Sequence, residues 1–216
     1  MLKAKLMENK NKVIAGAVVA LLLATAAVGA FFTDSHSVTN IFTTGGVTSQ
    51  LTEPQYDAQD PADRQLIGPG KVMVKDPTVT NKDTLDMYTF LKVSVPVKSV
   101  RTYDEATKAA TAAVLQPLFT WQTNTGWTQV KLVKNQTTWD YYYAYGTAAK
   151  MTAVKPGEST SVLFKNSQVK FINVLEGQGL ENIQLDMPVT DLSVQTTDLG
   201  TENPAEILEI VLNQRG

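Results

Sequence analysis

Trp139-Asp140-Tyr141-Tyr142-Tyr143-Ala144-Tyr145 is the stretch that decides the fold. Side chains of an extended strand alternate between its faces, so Trp139, Tyr141, Tyr143 and Tyr145 share one side. Working outward, the alternation returns. Met87, Leu91, Val93 and Val95 share a parity, with Tyr88, Phe90 and Lys92 on the other. Val72 and Val74 alternate with Lys71, Met73 and Lys75, and residues 127–133, 161–164, 169–174, 183–187 and 192–195 are further strand candidates. Between them stand turn formers: Gly45-Gly46, Gly68-Pro69-Gly70, Asn124-Thr125-Gly126, Pro156-Gly157 and Gly177-Gln178-Gly179. Many short strands and few helices predict a mainly β chain, an antiparallel sandwich rather than a parallel α/β fold.

Two short helices are expected. Residues 204–212 carry an Asn203 cap, Pro204 at the first position, Glu206 three residues after the cap, and an apolar stripe of Ile207, Leu208 and Val211. Residues 104–115 are Ala-rich behind an Asp104 cap, although Thr and other β-branched residues interrupt them. The polar stretch 56–64 reads as a loop.

The chain has 216 residues and no Cys, which excludes disulfides, thiolate metal sites and cysteine catalysis. Lys3, Lys5, Lys10 and Lys12 precede an uncharged run over 13–32, and Val28-Gly29-Ala30 places small residues where signal peptidase needs them. Residues 1–30 therefore read as a signal peptide cut between Ala30 and Phe31. Length alone leaves an uncleaved anchor open, because such a run can just span a bilayer. Those 30 residues hold four Lys and Glu8, so 19 basic and 21 acidic residues become 15 and 20 beyond them. A mildly acidic mature chain is a poor match for nucleic acid or a polybasic membrane contact. Membrane association is expected only through an uncleaved signal peptide. Residues 45–216 suffice for one domain with its own core, preceded by an arm over 31–44.

Residues that could carry chemistry are few. His36 is the single histidine, whereas a zinc hydrolase gathers two or three imidazoles beside a carboxylate base. A Ser-His-Asp triad lacks its Gly-x-Ser-x-Gly elbow. Asp57, Asp60 and Asp63 miss the alternating ligand spacing of an EF-hand and read as a solvated loop. Gly68-Pro69-Gly70-Lys71 lacks the phosphate-loop spacing and reads as a turn. The Trp139–Tyr145 stripe stacks sugars or bases in one reading and lines a sandwich core in the other. No cofactor or catalytic group is predicted, and the chain reads as a protein other than an enzyme.

The arm is the unusual element. Phe31, Phe32, Val38, Ile41 and Phe42 give it an apolar, β-prone character suited to adding onto a sheet edge, its own or a neighbour's. Ala30-Phe31-Phe32-Thr33-Asp34, Asn40-Ile41-Phe42-Thr43, Gly45-Gly46-Val47, Leu51-Thr52-Glu53 and Lys75-Asp76-Pro77-Thr78-Val79-Thr80-Asn81 resemble the TasA/camelysin family. Weaker matches continue through Gly126-Trp127-Thr128, Tyr143-Ala144-Tyr145-Gly146 and Glu176-Gly177-Gln178-Gly179. The resemblance implies a jelly-roll β-sandwich, secreted and matured by a SipW-like signal peptidase. It also implies self-assembly into biofilm-matrix fibres, in which Phe31, Phe32, Val38, Ile41 and Phe42 of one subunit complete the sheet of the next. An accessory anchor or minor fibre protein is an implied further partner. A monomeric surface-associated binding module using the aromatic strand, and a camelysin-like cell-surface metallopeptidase, are the alternatives.

Overall fold

The computed structural model describes residues 47–60, 67–181, 183 and 185–214. In chain order these form β1 (Ser49–Thr52), α1 (Pro54–Asp57), β2 (Val72–Val74), β3 (Thr78–Asn81), β4 (Met87–Val100), β5 (Tyr103–Asp104) and β6 (Ala109–Ala110). There follow β7 (Val114–Pro117), β8 (Phe119–Thr120), β9 (Trp127–Lys134), β10 (Thr138–Tyr145), β11 (Gln168–Phe171), β12 (Val189–Gln195) and α2 (Pro204–Asn213). All strand pairing among these elements is antiparallel.

The 14-residue β4 organises the molecule, because one face is largely apolar along the strand and the other is apolar at Tyr88 and Phe90. It lies between β12 and β10, with β9 beyond β10. β7 continues along the edge that β12 occupies: Ser94 N–H donates to Pro188 O, and Leu118 N–H to Pro96 O. Register sets Tyr141 opposite Val93 and Tyr143 opposite Leu91, aromatic–aliphatic pairs that stabilise a sheet face. A β-bulge opposite Tyr142 and Tyr143 leaves one extra residue, Val130, in β9.

On one face, Met87, Leu91, Val93, Val95 and Tyr143 pack against Phe119, Phe164, Val169 and Phe171, which belong to or adjoin the second sheet, β2-β11-β8. This is the sandwich core. On the other face, Tyr88, Phe90, Tyr142, Ala144, Leu192 and Val194 meet Ile207, Leu208 and Val211 of α2. Burial of each such α2 side chain contributes about 1.5–3 kcal/mol, enough to hold a ten-residue helix that would be marginal alone. Asn203 Oδ1 accepts from Ala205 N–H at 2.9 Å and Glu206 N–H at 3.4 Å, the cap anticipated from the sequence.

β1 pairs with β3 in a small separate sheet. Gly68-Pro69-Gly70-Lys71 is a tight turn: Lys71 N–H reaches Gly68 O at 3.0 Å, and Gly70 takes the positive φ that its position requires.

The expected helix over 104–115 is absent. Asp104 Oδ1 accepts from Ala106 N–H and Thr107 N–H, a local bridge that closes the β5–β6 hairpin turn instead of starting a helix. The following residues extend as β7 because β4 offers them a ladder. Residues 161–164 and the described part of 183–187 form no strand; Leu163, Phe164 and Met187 enter the core from irregular backbone. The expected loop over 56–64 begins inside α1, with Tyr56 buried.

Candidate functional site

Two constellations place unusual chemistry among the described residues. The first grows from Lys75-Asp76-Pro77-Thr78-Val79-Thr80-Asn81. Lys75 is 4% exposed and donates to Glu53 Oε2 at 3.0 Å; Glu53 is 1% exposed. The same ammonium stands 5.5 Å from the Tyr56 ring centroid. Asp76 turns the other way, accepting from Gln55 N–H at 2.8 Å and Tyr56 N–H at 3.1 Å. A carboxylate from the connection between β2 and β3 thus satisfies the first turn of α1, where amide groups lack partners within the helix. At the far end, Asn81 donates to the Leu85 and Val154 carbonyls, both at 2.8 Å, and accepts from Asp83 N–H. A motif legible in the sequence as a family mark is therefore a buried polar knot joining β1, α1 and β3.

The second constellation lies at the open seam between the two sheets. Trp121 follows β8, and its ring stands 5.1 Å from Tyr141, 6.4 Å from Tyr143 and 5.4 Å from Phe164, edge to face in each case. Its Nε1–H donates to the Tyr143 hydroxyl at 3.1 Å. Burial pushes the Tyr141 and Tyr143 phenols above their ordinary pKa, so both hydroxyls stay protonated well into the alkaline range. Trp121 and Tyr141 are half-buried, and with Thr120, Thr123 and Gln129 they line a cleft of about 310 Å3. The aromatic stripe is on one face, as its spacing requires. Its members nevertheless separate: Tyr143 is core, Tyr141 borders the cleft, Tyr145 meets Trp127, and Trp139 lies under Lys134 at 4.1 Å.

Trp121 was not legible as a site residue. It stands alone between Thr120 and Gln122, with no periodic partner in the chain, and reaches Tyr141 because β8 pairs with β11 in the facing sheet. Ala30, Phe31, Phe32, Val38, Ile41 and Phe42, together with His36 and Asp63, lie outside the described residues. Asp57 ends α1 and Asp60 follows it.

No group of three or more His, Cys, Asp and Glu suited to a metal stands together among the described residues. The deeply buried carboxylates have other work: Glu53 meets an ammonium, Asp76 meets backbone N–H groups, and Asp191 accepts from the Thr89 and Ser193 hydroxyls at 2.7 and 2.8 Å. With one histidine and no cysteine in the chain, this donor set does not fit a zinc peptidase centre, and no metal-dependent step follows from it.

No curated protein and no solved structure matches the chain. A family model does, over residues 5–140, and its description is camelysin metallo-endopeptidase. That span runs from the basic N-terminal residues through the buried polar knot to the start of β10, so the chain belongs to the camelysin family.

Proposed function

We propose that the chain is a secreted structural protein that polymerises into extracellular matrix fibres, its arm over 31–42 adding to the sheet of the next copy. The observation that carries this reading is an edge. Among the described residues, β2 pairs with β11 alone, and its Val72 is 49% exposed. An edge strand offers unpaired backbone groups to any compatible strand, and Phe31, Phe32, Val38, Ile41 and Phe42 make the arm compatible. A ladder of about ten residues contributes about 0.5–1.5 kcal/mol per hydrogen bond, so burial of the apolar side chains supplies much of the rest. Head-to-tail exchange need not close, and contacts that do not close grow into filaments.

On this reading a SipW-like peptidase cutting after Ala30 frees the arm. Until then the arm is tethered to an apolar leader, which disfavours assembly before export. An accessory anchor or minor fibre protein would act at a fibre end. The test is electron microscopy of two products. Protein beginning at Phe31 is expected to form filaments and protein beginning at Asn40 to remain dispersed; equal fibre formation by both defeats the donor-strand proposal.

The same reading makes the chain a protein other than a peptidase, despite its family's description. Zinc analysis with a casein assay checks this point. Stoichiometric zinc together with cleavage that stops on chelation would overturn it.

A further inference from the structure

We infer that the seam cleft at Trp121 and Tyr141 is a binding site for a neutral polysaccharide. The inference is independent of fibre assembly. Trp121 and Tyr141 meet at an interplanar angle of 74° with centroids 5.1 Å apart, forming a corner of two half-exposed rings. Aliphatic C–H faces of a pyranose stack on such rings, while its hydroxyls seek neutral donors and acceptors beside them. Thr120, Thr123 and Gln129 supply these from the exposed rim, and no charged residue lines this cleft.

A second cleft of about 380 Å3 shares Thr120 and Trp121, but Val72, Lys165 and Lys170 stand in its lining beside Gln122, Asn166 and Gln168, so the neutral site is the first cleft alone. Its rim also distinguishes the occupant from an apolar strand. A segment rich in Phe, Val and Ile would bury the amide N–H groups and carbonyl of Gln129 without partners, at a cost for each. A polyhydroxylated chain satisfies them.

The full-length chain run in affinity electrophoresis through gels containing laminarin, dextran or galactomannan tests the proposal, with polygalacturonate as the charged comparison. Retardation is expected with at least one neutral polymer and less with polygalacturonate. Gln129→Ala, at an exposed position, and Tyr141→Ala are each expected to weaken binding about tenfold, whereas Leu85→Ala on a remote loop leaves it unchanged. Thermal melts identify any variant that has lost its fold, and Gln129→Ala keeps the test open if Tyr141→Ala has. Two outcomes overturn the inference: no neutral polymer binds, or both folded variants bind like wild type.

Discussion

The buried knot around Lys75 and the seam around Trp121 are built from comparably polar residues, yet the structure treats them oppositely. In the knot, charges sit at a few per cent exposure and meet short, directed partners: an ammonium on a carboxylate, a carboxylate on two N–H groups. At the seam, the amides of Gln122, Gln129 and Gln168 and the Thr hydroxyls are exposed around half-buried rings. A closed cluster fixes the relative placement of β1, α1 and β3. An open one leaves its hydrogen-bonding capacity for something else. Burial, rather than residue type, separates the structural constellation from the one fitted to bind.

The contrast breaks first at Lys75. Lys75→Met leaves Glu53 buried opposite a thioether, and loss of one partner of a buried pair costs about 3–5 kcal/mol. Urea unfolding should show that drop; a loss below about 1 kcal/mol, the range of surface pairs, would mean the knot holds nothing together. Asn81→Ala comes next, because it removes the side-chain donors to the Leu85 and Val154 carbonyls and the acceptor of Asp83 N–H. A cost of about 2–3 kcal/mol is expected, read from the same urea midpoint.

Tyr143→Phe sharpens the border between core and seam. It removes the acceptor of the Trp121 indole N–H, at a cost of about 1 kcal/mol by thermal melting. It also bears on alkaline stability. Desolvation holds the Tyr143 phenol above its unfolded pKa of about 10, so the folded state keeps that proton longer than the unfolded chain does. Its contribution is complete below about pH 10 and is lost as pH rises through the folded value. Melts between neutral pH and pH 11 should therefore fall less steeply in Tyr143→Phe, while Tyr141 and Tyr88, also raised by burial, retain part of the slope. The smallest effect belongs to Gln129→Ala, within about 0.5 kcal/mol of wild type in stability, so that any change in its ligand binding is read free of folding.

The strands that carry the sandwich were visible where periodicity is strong, as in β4 and β10, whereas β12 was read only over 192–195 because Asp191 and Ser193 share the parity of Val189 and break the pattern. The cap of α2 was visible for a local reason, since Asn203-Pro204 acts within three residues. What escaped was decided at a distance. Asp104 presents the same carboxylate to a hairpin turn as to a helix start, and only the neighbouring β4 ladder selects the hairpin. Two-residue strands such as β8 carry no period at all. The seam was half legible: the stripe gave Tyr141 its face, while Trp121 reached it through pairing of β8 with β11.

The placement of β4 has a consequence for how the molecule is made. Val93 pairs with Val189, so the central strand waits for nearly a hundred further residues before one flank is filled. Such long-range closure is entropically slow and gives a high contact order. A chain emerging N-terminus first therefore carries its most apolar strand unsatisfied until β12 has been made. Any product ending before β12 should be a substrate for chaperones and proteases rather than a smaller folded protein.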